Sequence, residues 1–531
     1  MPLTIAIIGT GPTGIYAFRS LMQHEQSLAI WLFEKGEKAG IGLPYSPETS
    51  SKTMLANIAS IEIPDVISTY LDWLERQPPA RLRGYGLDPD DLDARQFTPR
   101  LLLGEYFRDQ LMDLVDTARA RGHSVTLCEA TEVADVAVVD GLVWLTTDAG
   151  PLDQGFDRVM LATGHVFPDE AAATRSYFPS PWSGLIEADV AAGKVGILGT
   201  SLSGIDAAMA VASQHGRFAG RGQALRFVPD ADGLKITLMS WTGVLPEADF
   251  YCPIPYDPLL HMTPAALEQA RGAESVLDAV YALFQAELAQ ADPAYARAIG
   301  LDRLTPDSFT DAYFAEREAH DPFHWARENL AEVEHNKAHR ITVPWRYAIL
   351  RMHEQVEDLV PDFSDADRKR FDCGLKSVFV DNYAAVPSES IHRLLALRDA
   401  GVLGILALGQ DYTLNHDGAK TVIVAKGETH VFDTFIDARG QKALTTKDLP
   451  FPTLRKAMLD AGCEIPEVDE DYILTDPATV AGRIGFGAIP YLMHDRPFAQ
   501  GITAAADIGA AMARSIREDA QRSARRRRRW A

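Results

Sequence analysis

Residues 3–14 read LTIAIIGTGPTG, and the next apolar run, Ala29–Phe33, ends in Glu34. Residues 2–8 form a short β-branched apolar run that Gly9 cuts off, and a helix-compatible stretch runs from the glycine turn to about His24. Strand, glycine turn, helix, strand and acid make the first unit of a dinucleotide fold. Within Gly9-x-Gly11-x-x-Gly14, Gly9 permits the tight turn, Gly11 lets backbone approach a diphosphate, and Gly14 lets helix and strand pack closely. The diphosphate then lies on the helix N-terminus, where unpaired N–H groups and the helix dipole favour an anion. Glu34, twenty residues beyond Gly14, is placed to accept hydrogen bonds from the adenosine ribose.

A second unit of the same plan starts near Lys194. Val195–Leu198 reads as a buried strand, and Gly199-x-Ser201-x-x-Gly204 opens a helix over Ile205–Ala212. Serine at the middle position still allows close approach, and its hydroxyl is a phosphate ligand by chemistry. The next strand, Lys235–Met239, ends near Ser240 and Trp241, where adenosine recognition is expected. Trp241 is no arginine, so NADH and NADPH stay open, with Arg226 or Lys235 as substitute cations. The endings match as well. Residues 142–147 and 156–164 read as a strand pair closed by glycine, and residues 421–425 and 432–440 repeat that layout. The second copy is longer, and its Ala-, Glu-, Leu- and Arg-rich helical candidates within 263–370 mark an insertion.

The expected fold class is therefore α/β, with two Rossmann-like dinucleotide-binding domains and a helical insertion. The boundaries are 1–185 for the first part of the first domain, 190–262 and 371–440 for the second, and 263–370 for the insertion. Residues 441–516 complete the first domain, with helices over 454–461, at 488–491 and from Gly501 to Ile516. A basic tail, 517–531, contains Arg522 and Arg525–Arg529 and is expected to be solvated and disordered.

Composition narrows the function. Across 531 residues, 51 Lys and Arg face 74 Asp and Glu, for a net charge of −23. An acidic surface repels phosphate backbones and anionic lipid, so neither a nucleic acid nor a membrane is an expected partner. The hydrophobic fraction, 47%, is that of an ordinary globular core. Cys128, Cys252, Cys373 and Cys463 stand far apart with no CxxC pair, which excludes a local zinc cluster or dithiol and suits a reducing compartment. No basic leader and no apolar stretch of membrane length is seen, so the expected location is cytoplasmic.

The chain also resembles a bacterial FAD/NAD(P)-binding family that includes flavin-dependent N-hydroxylating monooxygenases, such as aspartate N-monooxygenases. The resemblance lies in GTGPTG (9–14), FEK (33–35), GIGLPYS (40–46), MLANIASIEIP (54–64), RQFTPRLLLGEY (95–106), ATGH (162–165), SPW (180–182) and GTSLSGIDAA (199–208). It continues in VDNYAAVP (380–387), DARGQ (437–441) and PYLMHDRPFAQGITAA (490–505). It implies that the first domain is the FAD domain, the second the NAD(P) domain and the insertion a substrate cap. FAD contacts are then implied from Pro12, Thr13, Lys35, Gly42, Asn57, Arg100, Ala162, Thr163 and Gly164, and from Gln500, Gly501, Ile502 and Thr503 at the last helix. It implies NAD(P) contacts from Gly199, Ser201, Ser203 and Gly204. Asn57 and His165 are weak catalytic candidates, no catalytic residue being assigned. Arg346, Lys376, Arg483, His494 and Arg496 are weak candidates for binding a substrate carboxylate.

Two dinucleotide sites in one chain imply hydride transfer from a nicotinamide to a flavin. Separated cysteines argue against the usual disulfide reductase. The reading that leads is a monooxygenase that hydroxylates the nitrogen of an amino acid or small amine through a flavin C4a-hydroperoxide, with O2 as co-substrate and no metal. The alternatives are an electron-transfer reductase with a protein partner, or a non-catalytic, redox-responsive flavin protein. Oligomeric state is open, homo-oligomers included.

Overall fold

The structure, a computed structural model, describes residues 2–167 and 173–530, with side chains described as far as Ile516. Two compact units emerge: the first joins Met1–Lys52, Ile58–Val166 and Gln441–Ala531, and the second joins Thr53–Asn57 and Phe167–Gly440.

The first unit is built on strands β1 (Leu3–Ile8), β2 (Leu28–Phe33), β3 (Ser124–Cys128) and β7 (Arg158–Leu161), with the last strand of the chain, β18 (Ile484–Phe486). They form a parallel sheet in the order β18-β7-β1-β2-β3. Ile5–Ile8 are all buried, so the strand does not alternate: helix Pro12–Leu21 packs against β1, and Phe156, from the antiparallel segment that follows β3, packs on Trp31 and Phe33 of the neighbouring β2. Helix Pro12–Leu21 links β1 to β2, and Pro12 at its first position suits a turn whose N–H needs no partner there. Helix Arg100–Ala120 is the crossover from β2 to β3. Between β3 and β7 the chain makes an antiparallel sheet of β4 (Val133–Val139), β5 (Leu142–Thr147) and β6 (Gly150–Phe156). The partner of 142–147 is thus Gly150–Phe156, not the expected 156–164, whose Arg158–Leu161 run joins the parallel sheet instead.

The final helix, Gly501–Trp530, packs on helix Pro12–Leu21. A Cβ on Gly509 would lie 2.7 Å from both the Ala17 nitrogen and the Thr13 oxygen, so only glycine permits this crossing. The helix continues beyond the expected end at Ile516, and the basic stretch 517–530 is helical backbone rather than a separate disordered tail.

The second unit repeats the plan. Strands β8 (Tyr177–Phe178), β9 (Lys194–Leu198), β12 (Lys235–Ser240), β13 (Leu403–Ala407) and β17 (Thr434–Asp437) form a parallel sheet in the order β13-β12-β9-β17-β8. Helix Leu202–Gln214 follows β9. The hairpin β10 (Gly216–Ala219) with β11 (Arg226–Pro229) stands outside this sheet. Strands β14 (Thr413–His416), β15 (Thr421–Ala425) and β16 (Glu428–Phe432) make the antiparallel triplet that β4–β6 make in the first unit. Strand β8 pairs with β17, and Phe178 lies in this unit's core, so residues 173–185 belong here and not to the first domain as expected. The sequence has only a two-residue strand at that boundary, too short to give a periodic signal.

Between β12 and β13 stand eight helices, Pro264–Arg271, Val276–Ala291, Pro293–Ile299, Phe309–Ala319, Pro322–His339, Pro344–Glu357, Asp365–Cys373 and Leu375–Tyr383. Helix Ser388–Asp399 then makes the crossover into β13. The insertion therefore reaches Tyr383, past its expected end at 370. Thr263, Ser275, Asp292, Asp321 and Ser364 each cap one of these helices by accepting a first-turn N–H. Each such cap contributes about 1 kcal/mol.

Candidate functional site

The first glycine turn is dictated by backbone contacts. Gly9 has φ +95°, and a Cβ there would lie 2.3 Å from the Ala162 oxygen at the end of β7. A Cβ on Gly14 would lie 2.1 Å from the Gly9 oxygen. Gly11 differs: its missing Cβ faces only the Gly42 Cα, at 3.4 Å. Gly9 and Gly14 are thus required by the fold, while Gly11 keeps an approach open. Gly11 is also the N-cap of helix Pro12–Leu21, with no side-chain cap and no acid in the first turn. Insertion helices Phe309–Ala319, Pro344–Glu357 and Leu375–Tyr383 also start without a side-chain cap, so what sets this start apart is the glycine turn, which keeps an external anion's approach to its N–H groups and positive dipole end open. The residues therefore fit a dinucleotide diphosphate.

Glu34 follows β2 and is braced from two sides. Its Oε2 accepts the Thr10 backbone N–H at 3.2 Å and the Thr10 hydroxyl, and its Oε1 accepts the Gly36 N–H at 2.9 Å. Thr10, which the sequence reading passed over, is buried in the turn and fixes the carboxylate. Lys35 points elsewhere, to Glu132 at 2.9 Å. Gly42, at φ +80°, places its Cα beside the turn, and the Tyr45 oxygen would lie 2.6 Å from a Cβ on Gly104. That close approach pins the 40–46 segment to helix Arg100–Ala120, whose first residue is Arg100. Arg100 acts electrostatically on Tyr45, whose hydroxyl burial pushes up to about 12 against it.

The second turn repeats these contacts. Gly199 has φ +141°, with a would-be Cβ 2.6 Å from the Ala438 oxygen at the end of β17, and a Cβ on Gly204 would lie 2.3 Å from the Gly199 oxygen. Ser201 is the N-cap of helix Leu202–Gln214 yet makes no side-chain cap, and the first turn holds no acid. A serine that leaves its own helix uncapped keeps its hydroxyl, beside Ser203, for a ligand. This turn also fits a dinucleotide.

Other candidates are more scattered. Ala162 is buried, Thr163 half-buried, and Gly164 takes φ +70° with nothing near its missing Cβ. His165 is half-buried, and burial lowers its pKa against an opposing hydrogen bond with Gln441, so the imidazole is neutral near pH 7. Asn57 lies in the 53–57 segment of the second unit, and its Oδ1 is buried with no hydrogen-bond partner among the described residues. An orphaned buried acceptor is costly unless a ligand or water completes it. Gln500, Gly501 and Thr503 are exposed at the start of the final helix, Ile502 is buried, and no acid occupies that first turn.

The five cations are not assembled into one clamp. Arg346 is 7% exposed and ion-paired with Glu247, which also receives Arg317 at 3.4 Å and the Trp325 indole N–H at 2.9 Å. Arg317 in turn pairs with Asp381. Arg346 thus serves an internal network, which corrects its reading as a carboxylate ligand; nothing in the sequence around Glu247 announced this partner. Lys376, on helix Leu375–Tyr383, pairs with Asp372 of the preceding helix at 2.8 Å, Arg496 lies over the Tyr472 ring at 4.8 Å, and His494 Nε2 contacts the Leu444 oxygen at 3.0 Å. Arg483 lies beside Gly141. Lys376 and Arg346 belong to the second unit, the other three to the first. No group of three or more metal-ligating side chains occurs among the described residues, and no helix there is long and apolar enough to cross a membrane.

Comparison with known proteins gives the class and then the family. Residues 6–166 match the FAD-NAD(P)-binding family. The structure aligns with the ornithine N-hydroxylase of Kutzneria sp. 744, described with reduced FAD, NADP+ and L-ornithine, at TM-score 0.53 and 12% identity, over 98% of this chain and all of that one. An ornithine hydroxylase of Pseudomonas aeruginosa aligns at TM-score 0.48 and 12% identity, over 97% of this chain and all of that one. By class the chain carries an FAD-NAD(P)-binding domain within a two-domain flavoprotein fold. It is 54% identical to the protein YdhS of Escherichia coli (strain K12) over 98% of this chain and 99% of that one, and residues 263–383 match the YdhS-like middle domain. The chain belongs to the YdhS family.

Proposed function

We propose that this protein uses NAD(P)H and O2 to hydroxylate the nitrogen of an amino acid or small amine on a bound FAD. The observation that supports this most is the duplicated, uncapped glycine turn. One chain holds two helix starts shaped for a diphosphate, so two dinucleotides are at its disposal. Flavin supplies hydride acceptance and oxygen activation when bound.

In this reading the N–H groups of Thr13 and Gly14 hold the FAD diphosphate, Glu34 holds the ribose, and Gly11 with Gly42 leaves room for both. Ser201, Ser203 and the first-turn N–H groups after Gly199 hold the nicotinamide coenzyme. Asn57 Oδ1 accepts a hydrogen bond from a ligand N–H, and neutral His165 provides a hydrogen-bonding group that repels no cationic amine. The helical insertion, entering at the carboxyl end of β12, caps the coenzyme side of the second unit and sets substrate choice. The likeness to an ornithine N-hydroxylase supports nitrogen of an amino acid as the acceptor. The four free cysteines supply no described dithiol for the disulfide-reductase route.

The test is NADH and NADPH oxidation by the FAD-loaded protein in air, with hydrogen peroxide quantified, across amino acids and amines. The expected result is an amine that accelerates oxidation while peroxide falls short of coenzyme consumed, with the hydroxylamine found by mass spectrometry. Reduction of artificial acceptors with no hydroxylated product would replace this reading by the electron-transfer one. A flavin that neither coenzyme reduces would leave the redox-responsive protein.

A further inference from the structure

The backbone equates positions in the two units. The Gly9 N–H donates to the Phe33 oxygen at 2.9 Å, and the Gly199 N–H donates to the Met239 oxygen at 2.8 Å. The residue after Phe33 is Glu34; the residue after Met239 is Ser240. The carboxylate that suits a ribose diol in the first unit is therefore absent from the corresponding place in the second. A carboxylate there would repel a ribose 2′-phosphate, and a serine does not. Ser240 Oγ accepts the Gly243 N–H at 3.0 Å, which leaves its own proton to donate. Trp241 follows with 62% of its surface exposed, one of the most open large apolar side chains described and a flat face at the carboxyl end of β12. Purines stack on such faces.

A phosphate needs a cation, and the two that the sequence offered are misplaced. Lys235 is the first residue of β12, at the amino edge of the sheet, and its Nζ donates to the Gly401 oxygen. Arg226 opens β11 and donates to the Gln223 and Leu225 oxygens. Arg439, after β17, is tied by two nitrogens to Asp437.

Lys426 is different. It forms the turn between β15 and β16, at φ +51°, where Ala425 pairs with Glu428. Ile423, Ala425 and Phe432 of that hairpin share a core with Leu198 at the end of β9 and Met239 near the end of β12. The hairpin is thereby packed onto the carboxyl end of the parallel sheet. Lys426 Cε lies 3.7 Å from where a Gly409 Cβ would be, and the Gly409 N–H donates to the Trp241 oxygen at 2.9 Å. Lys426 is exposed and makes no ion pair among the described residues, on a chain whose net charge is −23.

We propose that the second unit selects NADPH over NADH, with Lys426 binding the adenosine 2′-phosphate, Ser240 donating to it and Trp241 supporting the adenine. This rests on the reading that the second unit binds the nicotinamide coenzyme.

The experiment is calorimetric titration of the FAD-loaded full chain with adenosine 2′,5′-bisphosphate and with 5′-AMP, which differ only in the 2′-phosphate. The bisphosphate is expected to bind about tenfold or more tightly than 5′-AMP, with the gain falling as salt rises. Lys426→Met should bring the two ligands to within about twofold and leave 5′-AMP unchanged, Lys426→Arg should keep the gain, and Ser240→Glu should reverse it. Trp241→Ala should weaken both ligands alike, as loss of stacking on the shared adenine requires. A wild-type protein that binds 5′-AMP with no gain from the 2′-phosphate overturns this subsite alone. So does Lys426→Met weakening both ligands equally. A wild-type protein that binds neither fragment nor NADH overturns the coenzyme assignment of the second unit and the subsite with it.

Discussion

In the first unit the strand after the glycine turn is followed by Glu34, braced by Thr10 and Gly36, and two short helices, Tyr70–Glu75 and Pro79–Gly84, precede the crossover helix Arg100–Ala120 into β3. In the second unit the same strand ends in Ser240 and Trp241, and eight helices intervene before the crossover helix Ser388–Asp399. What stays constant is a pair of backbone approaches, Gly9 to Ala162 with Gly14 to Gly9, and Gly199 to Ala438 with Gly204 to Gly199. Both turns depend on glycine at those contacts. The carboxyl ends of the strands bear no such load, so side chains there were able to diverge toward different ligands and a large insertion.

The most severe way to break this comparison is to fill the helix–strand contact in each unit separately. Valine at Gly14 would drive side-chain carbon into the Gly9 oxygen, and valine at Gly204 into the Gly199 oxygen. Gly14→Val is expected to strip the protein of most bound FAD, measured as flavin absorbance per protein after desalting. Gly204→Val is expected to keep its FAD but resist anaerobic reduction by either coenzyme. Loss of FAD from both variants alike would show that the second unit is no independent coenzyme site.

The next effect concerns stability. Burial pushes the Glu247 carboxyl up, but Arg346 and Arg317 outweigh it and hold the group below the usual carboxylate range. A depressed carboxyl contributes stability above its unfolded pKa of about 4.3, and that contribution is lost as pH falls through the lower folded value. Removing one partner leaves a buried charge uncompensated, so Glu247→Gln is expected to cost about 3–5 kcal/mol. Hydrogen exchange resolved by segment should show the loss in the second unit, with a smaller fall of protection there as pH drops below the usual carboxylate range. Equal loss in both units would mean that they unfold as one.

How far the sequence foretold this arrangement follows from range. Both glycine turns, β1, β2, β9 and the repeat itself are local, being apolar runs stopped by glycine at fixed spacing, and the structure has them. The antiparallel partner of β5 was misassigned, because Gly150–Phe156 carries two glycines and a proline and lacks a strand pattern. The boundary at 166 and the commitment of Arg346 to Glu247 depend on residues distant in sequence, where no period or motif reports. Lys426 was invisible for the same reason: a lysine in a hairpin turn acquires meaning only once the hairpin lies on the end of β12.

A milder change sharpens the role of the acid in the first unit. Glutamine at position 34 offers one oxygen where Glu34 uses two, so an amide N–H would face either the Thr10 donors or the Gly36 N–H. Loss of one bond to a charged acceptor costs about 1.5–3 kcal/mol, so Glu34→Gln should weaken FAD binding roughly tenfold or more. Equilibrium dialysis against free FAD measures it, and unchanged affinity would remove Glu34 from the ribose site.

The smallest effect is expected at Lys376, the candidate cation left on the insertion once Arg346 is assigned to Glu247. Its ammonium, on helix Leu375–Tyr383, pairs with Asp372 of the preceding helix Asp365–Cys373, and both groups are partly open to water. Such a pair trades one solvated charge for another and orders two long side chains, so it contributes only about 0.3–0.5 kcal/mol. Lys376→Ala should shift the melting temperature by no more than about 2 °C and leave coenzyme oxidation unchanged. A rise in KM for the accepted amine, with kcat and stability intact, would mean that Asp372 is a resting partner which substrate carboxylate displaces. The insertion would then do more than cover the second unit: it would contribute the charge that chooses the substrate, while the paired glycine turns, alike in both units, merely hold the dinucleotides.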